Sequence, residues 1–492
     1  MGLVPIVAVI ILITTTVGLG VYGLRFSRST SDFFVASRSV GVFTNASAVS
    51  GEYLSATAFL GIAAMIMLHG IDMLWYPVGF TVGFLVLLVL VAAPLRRSGA
   101  YTLPDFAETR MESRMVRRIS SVLVVCIGWL YLLPQMQAAG LTVHVMTGAP
   151  MASGGLVVAL VVGFTVAAGG MRSITLVQSF QYWLKLAAIA IPTIIMTLVW
   201  AHSGAPSLSV AHWGEPLSTF GGRQYPVYGN LSLIVATFLG TMGLPNILVR
   251  FYAIADGRAA RRTSLGVIAL LSGFYVFTAP LGALGRHFMP DLVRNGPADA
   301  LLLLLPGRVI PGIGGTLLTA LVAAGAFAAF LATASGLVLS IAGVLSQDLL
   351  QKRLNPMQGF RAGTAIALVV PLAVVPFLVP HHLAVMVTMA FAVAASTFAP
   401  LLVLGIWWRR LSTIGAITGL VVGGVTSLGA VGIALFVPTT GLLATVVAQP
   451  AAWTVPLAFA TMVIVSLATP GAVPTHAAVT LGRLHTPDKF VV

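Results

Sequence analysis

Glu52 and Lys185 are ionisable residues deep inside long apolar stretches of a chain in which only 8% of the 492 residues are charged. A charge at the centre of a bilayer costs at least about 2.5–3.5 kcal/mol, so residues of this kind mark ion or substrate pathways. Burial penalises the charged form of either group. Two chemistries follow. The pair could carry a proton, or the Lys185 ammonium could stand where a transported cation would sit. The plainer alternatives are a static ion pair between two helices, or a lysine solvated in an aqueous vestibule.

The residues around Glu52 are polar and break helices: Ser47, Ser50, Gly51, Ser55 and Thr57 fall within one apolar stretch. A second cluster, Gly240-Thr-Met-Gly243-Leu-Pro245-Asn246, interrupts another. Interior glycine weakens a helix by about 1 kcal/mol and proline by about 3. Unwound backbone at membrane depth survives where it lines a cavity or packs in protein. Either segment alone is also explained by a kinked structural helix.

Apolar residues make up 58% of the chain, and the mean hydropathy is +1.02. Thirteen apolar stretches are long enough to cross a bilayer as helices, with bounds good to about two to four residues. They lie near 3–24, 44–68, 73–95, 119–146, 152–170, 174–200, 230–253, 264–285, 312–346, 362–380, 383–408, 412–437 and 453–470. They are called spans 1 to 13 below. Span 1 has no basic start and no small-residue cleavage site, so it reads as a retained helix and not a signal peptide. No stretch between spans is long enough for a soluble domain. No phosphate loop argues for an ATP-driven pump. Cys126 is the single cysteine, which excludes a disulfide framework or a cysteine-based zinc site. Trp407-Trp408-Arg409-Arg410 reads as an interfacial belt, His381-His382 as a solvated turn, and Arg250 as an inner interface marker.

The formal charge of +14 is explained by topology. With the N-terminus outside, the inner loops and tail hold all but five of the 26 basic residues. The five are Arg223, Arg286, Arg294 and Arg308 outside, and Lys185 within the membrane. This asymmetry selects an N-out, C-in orientation and removes the case for nucleic-acid binding.

Spans 2–6 and 7–11 are two sets of five, each opening with a broken helix. An odd number inverts the second set relative to the first, the pattern of an inverted-repeat secondary transporter with its sites at the midplane. The predicted division is 1–43 for an accessory span and inner loop, 44–201 and 230–408 for the repeats, and 409–492 for two accessory spans and a tail.

The run Gly51-Glu-Tyr-Leu-Ser-Ala-Thr-Ala-Phe-Leu-Gly61 resembles the sodium/solute symporter family, as do Tyr101-Thr-Leu-Pro-Asp105, Thr175-Leu-Val-Gln178, Gly240-Thr-Met-Gly-Leu-Pro245 with Arg250-Phe, and Ser346-Gln-Asp348. Within it the chain is most similar to the cation/acetate branch of monocarboxylate permeases. The resemblance implies an all-α polytopic membrane protein of the leucine-transporter type, with a 5+5 inverted repeat. It also implies a plasma-membrane (inner-membrane) location, the bilayer as partner, no enzymatic chemistry and no cofactor beyond a coupling Na+ or H+. Carried over, the family's cation site falls on the carbonyls of Gly51 and Leu54 and on Ala329, Ala332 and Thr333. Here the chain departs from the pattern: sodium-coupled members usually carry two adjacent hydroxyls where Ala332 precedes Thr333, and an assisting acidic residue aligns near Leu176. The carboxylate substrate is expected near Ser55, Thr57, Gln135, Gly240, Thr241, Gly243 and Asn246, with Glu52 and Lys185 coupling. The competing expectations are a symporter for an amino acid, sugar or vitamin, and a membrane solute sensor.

Overall fold

The computed structural model describes residues 2–24, 40–204, 213–252, 254, 256–294, 296–350 and 354–486. Of the basic residues that set the orientation, Arg25, Arg28, Arg38, Lys352, Arg353 and Lys489 lie outside the described residues. Eleven described helices are long and apolar enough to cross a membrane, and a twelfth span is the bent pair Val42–Tyr53 with Thr57–His69. A shorter apolar helix, Ala152–Ala167, runs into Ser173–His202 within one helical stretch, Ala152–His202. At 1.5 Å per residue that stretch is about 77 Å long, more than twice the ~30 Å core, so it has the length of the two spans the sequence predicts there. The backbone therefore stays helical at Arg172, where the sequence predicts a loop. The thirteen expected crossings are compatible with this set.

The centre and the rim differ in burial. Ile313–Asp348 (span 9) and Leu383–Trp407 (span 11) are 89% buried, against 28% for Leu3–Tyr22 of span 1. Spans 9 and 11 form the heart of the bundle, and span 1 faces outward. Arg117 on span 4 gathers three carboxylates at the inner side: Asp105 at 2.8 Å, Glu108 at 2.7 Å and Asp348 at 2.7 Å. Thr102 and Asp105 form a capping box on the short inner helix Leu103–Met111, so the Tyr101–Asp105 motif is a helix start aimed at Arg117.

Both predicted breaks are present, each shifted from its glycine. The first helix of span 2 runs through Gly51 to Tyr53, and the chain turns by 70° before Thr57. Span 7, Pro226–Tyr252, is interrupted at Leu244 alone, where φ is −74° and ψ is 115°. Pro245 explains this: its ring disfavours a helical residue before it and pushes that residue to an extended conformation. The glycines serve packing instead. A Cβ on Gly51 would strike the Gln178 carbonyl, and one on Gly240 or Gly243 would come within 2.5 or 2.6 Å of the Phe391 or Ala394 carbonyl.

Backbone carbonyls of span 11 cannot retreat as a side-chain tip could. Gly243→Ala is therefore expected to destabilise by about 1–3 kcal/mol, the usual cost of overpacking. Gly429→Ala, which meets nothing within 4 Å, is the control. Melting of the two purified variants in detergent checks this: equal melting temperatures would refute the packing role.

Candidate functional site

The 70° break exposes backbone groups that need partners at membrane depth, and neighbouring side chains supply them. Lys185 on span 6 donates from Nζ to the carbonyl of Leu54 at 2.9 Å and to that of Gly51. The Thr333 hydroxyl on span 9 donates to the Glu52 carbonyl at 2.6 Å. On the far side of the break, the amide of Ala56 donates to Oε1 of Gln135 on span 4 at 3.0 Å. Three spans thus hold a segment that cannot hold itself. Lys185 is fully buried, as are Gln135 and Thr333.

The Glu52 side chain turns elsewhere. It is fully buried and pairs with Arg250 of span 7, Nε to Oε2 at 2.9 Å. Asn246 donates to Oε1 at 2.9 Å and Gln178 to Oε2 at 3.3 Å. Arg250 also donates to Thr175 at 2.7 Å and to Gln178. Gly336 leaves the room: a Cβ there would overlap the Glu52 carboxylate. Arg250 is therefore no interface marker. It is 1% exposed and bridges spans 2, 6 and 7. The carboxylate's charge partner is Arg250 and not Lys185, although both cations sit at the same break.

The remaining predicted residues divide into two groups. Thr241 bonds to the Tyr53 hydroxyl at 2.7 Å, beneath an aromatic cluster in which Phe80, Phe84 and Phe391 rings lie 4.7–6.0 Å from that of Tyr53. Ser55 lies beside the Tyr131 hydroxyl and Thr57 donates to the Leu383 carbonyl at 2.9 Å. These hydroxyls are buried near the break and already engaged with protein partners. Asn246 belongs with Glu52, Gly240 and Gly243 are packed against span 11, the Ala332 carbonyl accepts from Gln178 at 2.7 Å, and Ala329 is buried in the core. Outward of the aromatic cluster, a cavity of about 510 Å³ reaches Met65, Tyr76 and Leu233. Leu233 is eight residues before Thr241, or about 12 Å by helical rise.

Sequence reasoning missed Arg250 and Gln178 as partners of Glu52, Thr175 as a partner of Arg250, and Gly336 as the gap for the carboxylate. The signal was present as helical spacing. Asn246 and Arg250 stand four apart, and Thr175, Gln178 and Lys185 recur every three to seven residues on one face of span 6.

Residues 33–423 match the sodium:solute symporter family. The chain belongs to that family. It is similar to the uncharacterized symporter YwcA of Bacillus subtilis (strain 168), with 30% identity over 419 residues, 83% of this chain and 82% of that protein. Among solved structures it is similar to an outward-open, substrate-bound Na+-coupled sialic acid symporter, with a TM-score of 0.72 and 14% identity, covering 95% of this chain and 98% of that one. Mhp1, a nucleobase-cation-symport-1 family transporter, gives 0.57 at 16% identity over 93% and 99%. MhsT in complex with L-phenylalanine gives 0.55 at 14% over 85% and 98%. The fold is thus of the leucine-transporter type. The symporter is a multi-pass membrane transporter of a sodium-coupled family and not an enzyme, and a plasma-membrane location fits that family.

Breaking one side of a buried ion pair strands the other charge, at about 3–5 kcal/mol. Arg250→Gln and Glu52→Gln are each expected to lower the melting temperature in detergent, and the double variant to recover part of the loss. A double variant no more stable than the sum of the singles would show the pair to be uncoupled.

Proposed function

We propose that the symporter takes up a small monocarboxylate of the acetate, propionate or pyruvate class, and that Lys185 couples uptake to proton movement. One observation carries the coupling reading: the Lys185 ammonium is bonded to the carbonyls of Gly51 and Leu54, the pair that the family resemblance assigns to the cation. Two features support the substrate class. The motif around Gly51–Gly61 resembles the acetate branch, and the buried hydroxyls of Tyr53, Ser55, Thr57 and Thr241 lie near the break. The Thr241 hydroxyl donates to the Thr237 carbonyl at 2.7 Å and accepts from Tyr53, so the Tyr53 hydroxyl becomes a donor to a carboxylate once the two part, and Thr241 becomes one by turning from Thr237.

The mechanism follows from what each state of Lys185 can hold. A charged ammonium binds two carbonyls strongly, since hydrogen bonds from ionised donors are worth roughly twice neutral ones. Span 2 is then pinned to span 6. When the inner side opens and water reaches Nζ, loss of the proton leaves an amine with a weaker grip. The spans part and the acid leaves inward. A carboxylate and a proton crossing together move no net charge. The family's sodium dependence favours a second reading, in which Lys185 is a fixed ammonium and sodium drives uptake from another site. Another small organic solute remains the competing substrate.

Flux into proteoliposomes separates these readings. Acetate uptake should follow an imposed pH gradient in the wild type. Lys185→Met should abolish that dependence. So should Lys185→Arg, which keeps a charge that does not leave. Uptake that follows a sodium gradient, ignores pH and survives both variants would refute the proton reading. Thr241→Val should lower kcat/KM for acetate about fivefold, the worth of one neutral hydrogen bond of ~1 kcal/mol. Unchanged kinetics would remove Thr241 from the site.

A further inference from the structure

Four of the basic residues lie on the outer side, and two of them share a cavity. Arg286, near the end of span 8, and Arg294, on the short helix Pro290–Arg294, line a space of about 420 Å³ with His69, His382 and Phe220. No described carboxylate lines it. The guanidinium of Arg286 stacks at 4.7 Å on the Phe220 ring, and its Nη1 reaches the Met67 carbonyl at 3.5 Å. Among the described residues its other N–H donors make no hydrogen bond.

The nearby acids are engaged elsewhere. Asp72 takes Arg223 and the amide of Leu217, and is 3% exposed. Asp299 takes the amide of Leu383 at 3.2 Å and stands 3.7 Å from His382, raising that histidine's pKa through their hydrogen bond. Asp291, one turn before Arg294, makes no ion pair with it among the described residues. Two like charges therefore face one cavity whose described lining holds no carboxylate, with Asp299 set behind His382. His69 and His382 also line the 510 Å³ cavity above the aromatic cluster, so the two spaces share a wall.

We infer that this outer cavity is a first binding site for the transported carboxylate, held between Arg286 and Arg294 before it passes to the break. The ligand class rests on the monocarboxylate reading above. The arginines themselves call for a planar anion, because a guanidinium fork matches a carboxylate with two parallel bonds. An anion there also raises the local substrate concentration beside the path inward, an effect that salt weakens.

The test is chemical protection of the full-length protein in right-side-out vesicles. Phenylglyoxal labels accessible arginines, and peptide mass spectrometry reads each one. Acetate, against chloride at equal ionic strength, should slow labelling of Arg286 and Arg294 about threefold or more, the scale of local enrichment at a charged cleft. Arg308, an exposed outer arginine that does not line the cavity, should be unaffected. No protection, equal protection of all three, or chloride acting as well as acetate would overturn the site. Protection in vesicles that take up no acetate keeps this site and sinks the transport reading; acetate uptake without protection does the reverse. Where the protein transports, Arg294→Gln should raise KM about threefold at low salt with an unchanged maximal rate, a difference that disappears at high salt.

Discussion

Everything at the centre of this protein depends on one lysine holding open backbone in place. A helix that turns by 70° inside a membrane leaves carbonyls that water cannot reach. Lys185 answers two of them and Thr333 a third. The desolvation penalty on a buried ammonium is offset only because the break offers concentrated oxygen. The relation is mutual: the break needs a cation, and the cation needs the break. A carbonyl cage of this kind could serve a metal ion, and here a tethered ammonium fills it.

The second constraint is the buried Glu52–Arg250 pair. A buried ion pair is weak evidence for stability, since desolvation consumes most of its attraction. Its geometry gives it another use. Glu52 sits on the first helix of one repeat and Arg250 on the first helix of the other, with Gln178 and Thr175 of span 6 completing the shell. The inner half of span 7 is thereby tied to the same span 6 that carries Lys185. One face of span 6 thus contacts both broken helices.

Much of the fold was legible in the sequence because lipid is a strict solvent. Apolar length and the asymmetry of the basic loops place the spans, and the polar and helix-breaking clusters at Ser47–Thr57 and Gly240–Asn246 place the breaks to within a few residues. The site was legible in its residue types and less so in its pairings. Glu52 and Lys185 stand out because charge is rare at depth, yet composition says nothing of which partner each takes. Arg250 lies close enough to the inner end of span 7 to pass for an anchoring arginine, and only the packing of span 6 across it shows otherwise. The glycines misled in an instructive way. Gly51 and Gly240 suggest unwinding, but their lack of a Cβ is used for the close approach of the Gln178 and Phe391 carbonyls. Glycine permits both, and sequence alone does not separate them.

The two breaks, equivalent by symmetry, are made by different means, and this bears on which one moves. At Leu244 the interruption is written into the chain, because Pro245 disfavours a helical Leu244 in any surroundings. No proton, ion or substrate can repair it, and span 7 stays one crossing. At Leu54–Ala56 no proline intervenes. The turn exists because Lys185, Thr333 and Gln135, on three other spans, bond to the backbone there. Remove one and the balance between bent and straight shifts. A permanent break suits a pivot, and a conditional break suits a switch, because a ligand can bias only an equilibrium with two accessible states. Span 2 is therefore the half of the symmetric pair whose bend depends on side chains of other spans, and span 7 the half whose break is fixed by its own sequence.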